Sequence, residues 1–189
     1  MADSAANGVE ISNEDPLIFY HGRWDRAPGT WWASSGLKLN IDGLQSLTLR
    51  LGENTTSPSV PVGFSLDYEP FVTVNISTGS NSIPLKDISS TKRNEKSSVL
   101  RITSQGWQDN RMNLESIVLN SGAKLLPYTP SKLAFQVIGD SLSAGQYLEQ
   151  GVLQAWPALT AEFFKSEVNV NAQPGAALTV LSALPASSS

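Results

Sequence analysis

The string Phe135–Gln146, FQVIGDSLSAGQ, holds the residues of this 189-residue chain best suited to covalent chemistry. A mostly apolar run, Leu133 to Ile138, closes at Gly139 and delivers Asp140, Ser141 and Leu142 to a turn that should open a helix. Ligands of open α/β sheets bind at the carboxyl ends of the parallel strands, so this order sets a serine hydroxyl where a substrate would arrive. Acyl transfer needs such a hydroxyl exposed with backbone N–H groups beside it, and the glycine before the turn permits the tight geometry. The hydroxyl also needs a neighbouring base to take its proton. The chain has one histidine, His21, far away in sequence, and it reads as a strand residue hydrogen-bonded to its neighbours. No His/Asp/Glu cluster has metal-ligand spacing and no glycine-rich phosphate loop occurs, so no metal and no cofactor is expected.

Aromatic groups are the second candidate. Trp24, Trp31, Trp32 and Trp107 could stack on sugar rings, which match an apolar face to a polar edge. Burial in a core is the commoner use of tryptophan. Trp31 and Trp32 are adjacent, so in a strand they would point to opposite faces and one would stay free. That pair is the candidate carbohydrate contact.

The elements that must position these groups come in two kinds. From about Leu17 to Tyr128 apolar residues recur at period two, as in strands with one face on a core and the other in water. Leu37, Leu39 and Ile41 form one such run and Leu47, Leu49 and Leu51 the next, with Asp42-Gly43 as a hairpin signal that predicts paired strands. Further runs at 64–68, 72–76, 99–103 and 117–119 imply a β-sandwich or jelly roll. Lys92, Arg93, Glu95 and Lys96 read as a solvated loop.

Pro127-Tyr128-Thr129-Pro130 is a turn-forming linker. The predicted organisation is therefore a flexible N-terminus over 1–16, a sandwich over 17–129 and a second unit over 131–189. In that unit a strand ends at Gly139, a helix follows with Trp156, Leu159 and Phe163 on one face, and Val168 and Val170 alternate as a second strand. The last residues, LTVLSALPASSS, fit neither period. A unit of this size buries only about 60% of its surface and leaves a sheet edge open, so it is expected to be incomplete.

The net charge of -4 leaves no basic stripe to neutralise phosphates, which argues against nucleic acid as a partner. Cysteine is absent, so no disulfide or thiolate site exists. The chain shows no signal segment and no apolar run long enough to span a bilayer; as written it reads as cytoplasmic, with oligomeric state undetermined. Two N-x-S/T triplets, at Asn54 and Asn75, are the feature that would suit secretion.

With these motifs in place, the sequence resembles the GDSL, or SGNH, esterases. Gly139-Asp140-Ser141-Leu142 ends a predicted buried strand, Gly145 follows, and Asn171-Ala172-Gln173-Pro174-Gly175-Ala176 comes after the next strand like the family's second glycine block. FYHGRWDR and GTWWASSGLKLNIDG are similar to the jelly roll that precedes the hydrolase domain in carbohydrate esterases acting on acetylated polysaccharides. The resemblance implies a jelly-roll β-sandwich followed by the start of a three-layer α/β SGNH domain. It implies Ser141 as nucleophile, the Ser141 and Gly175 N–H groups as oxyanion donors, Gly139 and Asp140 as turn-shaping motif residues, and an acetylated carbohydrate or other small ester as substrate. It also implies a secreted protein. The family's G-x-N-D and D-x-x-H blocks do not occur after Gly175, so the chain is expected to be impaired as an enzyme and the hydrolase part truncated. Two alternatives stand beside this: a carbohydrate-binding sandwich with an inert remnant, and an incomplete gene model whose final residues are misread.

Overall fold

The computed structural model describes residues 8–88, 97–106 and 109–176. Its first part runs β1 (Val9–Ser12), β2 (Phe19–His21), β3 (Gly29–Thr30), β4 (Gly36–Asp42), β5 (Leu47–Leu51), β6 (Val60–Leu66), β7 (Val72–Ile76) and β8 (Gly79–Ser82). A short helix α1 (Leu85–Ile88), then β9 (Ser97–Ser104), β10 (Met112–Leu119) and β11 (Lys124–Leu126) complete it. These strands form two antiparallel sheets. One has the order β1-β10-β5-β8 with β3 also on β10, and the other β11-β4-β9-β6-β7 with β2 also on β4. The period-two apolar residues of both sheets meet in one core, where Leu37, Leu39, Ile41, Leu49, Phe64, Leu100, Ile102 and Ile117 are fully buried. The result is a β-sandwich, as the alternation predicts.

The expected hairpin does not form. β4 pairs with β9, β2 and β11, whereas β5 pairs with β10 and β8, so the two leucine rows face each other from opposite sheets. Leu44 is buried and draws the connection across the core. Asn120 fixes that crossing: its Oδ1 accepts from the N–H groups of Gln45 (2.7 Å) and Ser46 (3.1 Å), and its Nδ2 donates to the Gly43 carbonyl (3.0 Å). Nor is the stretch 8–16 the flexible lead expected of it, because β1 pairs with β10 from Val9↔Leu119 to Ser12↔Ser116 and buries Ile11.

The second part is β12 (Ala134–Gly139), α2 (Ser141–Ala144), a 3₁₀ turn (Gly151–Gln154), α3 (Trp156–Phe164) and β13 (Glu167–Ala172). β12 and β13 are parallel, in register from Ala134↔Glu167 to Gly139↔Ala172. This is the predicted strand-helix-strand order. Two of its details differ from expectation. β12 is not buried on both faces: Val137 is covered but Ile138 is 80% exposed, because this sheet has only two strands among the described residues. α3 turns Pro157, Ala158 and Ala161 inward and leaves Trp156, Leu159 and Phe163 outside, Phe163 at 81% exposure. Small inward residues let the helix lie close to its neighbours, which bulky ones would prevent.

The outer face of the larger sheet also departs from the alternation rule. His21, Lys38, Ser65, Arg101 and Thr103 share register positions on that face and were expected in water. The second part covers it instead, leaving Lys38 8% and Arg101 5% exposed. Buried charges survive when paired: Lys38 binds Glu167, and Arg101 binds Glu162 and Ser65. Lys92 to Lys96, Trp107 and the closing run LTVLSALPASSS from Leu178 fall outside the described residues.

Candidate functional site

Ser141 opens α2 directly after β12 and is partly exposed. Asp140 sits in the N-cap position with extended backbone, and its Oδ1 accepts the Leu142 N–H at 3.0 Å, which spends the carboxylate on shaping the turn. Gly139 must be glycine for a packing reason: a Cβ there would lie 2.2 Å from the Ser143 hydroxyl, which is buried behind the turn. Gly145 ends α2 at φ 70°, and a Cβ would meet the Gly151 carbonyl oxygen at 2.4 Å. The short helix is thereby clamped at both ends. The Ser141 hydroxyl has no hydrogen-bond partner among the described residues.

β13 ends level with β12, and its continuation folds over the same edge. The Gln173 N–H donates to the Gly139 carbonyl at 3.2 Å and the Ala176 N–H to the Gln173 carbonyl at 3.0 Å, which closes a turn with Gly175 at φ 81°. Ser141 and Gly175 therefore stand at the carboxyl ends of two neighbouring parallel strands.

His21 is not with them. It lies on the outer face of the larger sheet beside Lys38, Arg101 and Glu167, towards the starts of β12 and β13. Its Nδ1 is buried without a hydrogen-bond partner among the described residues, contrary to the expected neighbour-bonded strand residue. Burial, reinforced by the positive charges of Lys38 and Arg101 and opposed by Glu167, lowers its pKa to about 3.

The tryptophans divide by role. Trp24 is a core residue: it packs edge-on against Tyr20, and its Nε1 donates to the carbonyls of His21 (3.0 Å) and Gly36 (3.1 Å). Trp31 and Trp32 lie beyond β3, outside any strand, so they do not point to opposite faces. Their rings stack with centroids 6.4 Å apart and planes 28° apart, with the Arg23 guanidinium 3.7 Å over Trp32 and that of Arg111 5.4 Å from Trp31. Trp31 is 38% exposed. Ala33, next in the chain, belongs to the buried cluster of Val137, Ala144, Val170 and Ala172, so this stack leaves the sandwich beside the strand-helix-strand unit.

A well-connected carboxylate is one that sequence reasoning missed. Glu167 accepts from Lys38, from the Tyr128 hydroxyl (2.9 Å) and from the Ser131 N–H (3.1 Å). Tyr128 spends its proton on Glu167, so Tyr68, 3.0 Å from the Tyr128 oxygen, is the donor in that contact. Burial raises the Glu167 carboxyl, but the Lys38 hydrogen bond and charge, with Ser131 and Tyr128, more than offset it and leave its pKa below the usual range. Burial, then Tyr68 and Glu167, pushes the Tyr128 phenol up. The available signal was weak: charged residues at alternating positions of strands, with nothing to say what covers them.

No protein-family model and no curated protein matches this sequence. Solved structures do match, at low identity. One is a carbohydrate esterase family 2 enzyme plus carbohydrate-binding domain from Corynascus thermopiles (Myceliophthora fergusii), 17% identical with a TM-score of 0.67 over 84% of this chain and 49% of that one. Another is a family two carbohydrate esterase from Clostridium thermocellum in complex with cellohexaose, at 21%, 0.62, 86% and 53%. A third is a salicylyl-acyltransferase from a tetracycline biosynthetic pathway, at 16%, 0.64, 87% and 54%. This chain spans about half the length of these structures and shares their fold over that span.

Proposed function

We propose that this chain belongs to a serine ester hydrolase of the GDSL/SGNH class that deacetylates a carbohydrate, with the strands from β1 to β11 as its sandwich domain and the chain from residue 131 onward in its hydrolase domain. The placement of Ser141 carries the reading: a partly exposed serine at the carboxyl end of a parallel strand, level with the Pro174-Gly175 turn, on a fold shared with carbohydrate esterases. In this reading the Ser141 Oγ attacks the acetyl carbonyl carbon while a base takes its proton. The N–H groups of Ser141 and Gly175 hold the charge that grows on the carbonyl oxygen. The bond from that carbon to the sugar oxygen then breaks, the proton passes to the leaving hydroxyl, and water releases acetate. His21 is excluded as the base by its place on the sheet face, so the base is a group other than the chain's one histidine.

The test supplies that base externally. With p-nitrophenyl acetate and added imidazole, intact-mass and peptide spectra should show an acetyl group on Ser141 and imidazole-dependent turnover above that of Ser141→Ala. Equal turnover in the two proteins, with no acetyl on Ser141, sinks the reading. The alternative, a carbohydrate-binding sandwich, is favoured by one observation, the Trp31-Trp32 stack, with Trp31 exposed and Trp32 half-buried under Arg23. In that case polysaccharide retards the chain in an affinity gel and Trp32→Ala relieves the retardation, whether or not Ser141 reacts.

A further inference from the structure

Two motifs stand outside the chemistry of Ser141: Asn54-Thr55-Thr56 and Asn75-Ile76-Ser77, each an asparagine with a hydroxyl residue two positions on and no proline between. The fold presents both in the same way. The middle residue is anchored, with Thr55 4% and Ile76 1% exposed, while Asn54 and Asn75 are exposed. Asn54 lies in the turn after β5, which the Thr55 N–H closes on the Gly52 carbonyl at 3.0 Å. Asn75 lies on β7, where successive side chains alternate between faces, so burying Ile76 turns Asn75 outward.

The amide nitrogens set these two residues apart. Asn13, Asn40, Asn81, Asn113 and Asn120 each donate Nδ2 to a backbone carbonyl, and Asn110 donates its own to the Ser104 hydroxyl. Asparagine in those places is a structural clasp. The side chains of Asn54 and Asn75 have no hydrogen-bond partner among the described residues. Asn171 is also exposed and unbonded among them, but Gln173 stands where the hydroxyl residue would be needed. The Thr56 hydroxyl accepts from the Arg111 N–H at 2.9 Å, which leaves its own proton to donate. Ser77 is held at the end of β7 by Asn81, through its N–H at 2.8 Å and its carbonyl at 2.7 Å. β7 is the last strand of its sheet and pairs with β6 alone among the described residues, so Asn75 stands at an open edge with room for a bulky group.

We propose that Asn54 and Asn75 are N-glycosylation sites, whose acceptor Nδ2 atoms the fold leaves unbonded and in water. Nδ2 attacks C1 of the first sugar of an oligosaccharide carried on a lipid diphosphate. The N–C1 bond forms, the C1–O bond breaks, the lipid diphosphate leaves and the amide gives up one proton. The assignment entails export through a compartment that holds this donor, and it is independent of ester hydrolysis at Ser141.

The full chain, secreted from yeast behind a leader cleaved during export, provides the test. A glycan-releasing amidase acting in H₂¹⁸O converts each occupied asparagine to an aspartate carrying ¹⁸O. Peptide spectra should show that label at positions 54 and 75 and an unchanged Asn171. Asn54→Gln and Asn75→Gln should each abolish one of the two mobility steps that the amidase removes on a gel. Ser77→Ala should abolish the step at Asn75 with its asparagine still in place, and Ser77→Thr should keep it. Absence of the label at either position overturns the assignment there. Equal label at Asn171 overturns both, since the uptake would then be spontaneous deamidation. None of these outcomes bears on whether Ser141 is acetylated.

Discussion

Lys38, in the middle of β4, forms a salt bridge with Glu167, the first residue of β13, and so ties the outer face of the sandwich to the parallel strands. Both side chains are nearly covered, at 11% and 13% exposure. Burial lowers the Lys38 ammonium despite the hydrogen bond and charge of Glu167, so for the lysine the pairing does not fully offset the loss of water. Removing one partner strands the other. Lys38→Met alone, or Glu167→Gln alone, should therefore destabilise the chain by about 3 kcal/mol in urea unfolding, and Lys38→Met/Glu167→Leu together should recover most of that loss. A double variant no better than the worse single one would mean that Tyr128 and Ser131, not Lys38, are what Glu167 holds.

Acid should loosen the same face. The ordinary histidine value of 6.5 falls to about 3 for His21, so between those values the unfolded chain takes up a proton that the folded chain refuses. Stability from this source is complete above about pH 6.5 and declines as pH falls towards 3. Glu167, held below its ordinary 4.5, acts in the same direction lower down, with its contribution lost as pH falls below that value. Urea midpoints measured from pH 7 downward should fall, and His21→Gln should flatten the part between 6.5 and 4.5 while leaving the steeper part below it. An unchanged slope in His21→Gln would assign the upper part to some other group.

The outer-face residues also mark where sequence legibility ended. Period two showed which residues of β4, β5, β6, β9 and β10 face the core, because side-chain direction alternates wherever the strand pairs. It could not show which strands pair. The signal at Asp42-Gly43 fits a hairpin, yet Leu44 and Asn120, 76 residues further along the chain, route the connection to the other sheet. Nor could alternation reveal that a second layer covers Lys38 and Arg101, since paired buried charges and solvated ones read alike. In α3 the apolar stripe was visible but the contact is made by Ala158 and Ala161, because close approach rewards small residues. The serine turn was the most legible part: Gly139, Asp140 and Gly145 are each required locally by steric room, capping or a positive φ.

Those local requirements differ among glycines in a way that can be measured. Gly145→Ala meets both a positive φ and the Gly151 carbonyl at 2.4 Å, whereas Gly175→Ala meets a positive φ with nothing among the described residues within 4 Å of the new methyl. Backbone strain alone costs about 1 kcal/mol, and a clash with backbone adds to it. Gly145→Ala should thus lose about 2–3 kcal/mol in thermal or urea unfolding, roughly twice to three times the loss in Gly175→Ala. Equal losses would show that the 151 segment moves aside at no cost, and that the turn after Ser141 is less constrained than its packing indicates.

A tryptophan comparison separates the core from the surface stack. Trp24 packs against the sandwich core and gives its one N–H to two carbonyls, so Trp24→Ala removes buried aromatic area and leaves the His21 and Gly36 carbonyls without that donor. The expected loss is about 3 kcal/mol or more. Trp32 has Arg23 over one face and Trp31 beside it, contacts of a kind worth only about 0.5–1 kcal/mol at an exposed site. Trp32→Ala should accordingly unfold within about 1 kcal/mol of the parent chain. Such an outcome leaves the stack free to serve a ligand, because a pair of large aromatic rings that contributes little to stability is held at the surface for some other reason. A loss as large as that of Trp24→Ala would instead make Trp32 part of the fold, and would remove the ground for assigning it a carbohydrate contact.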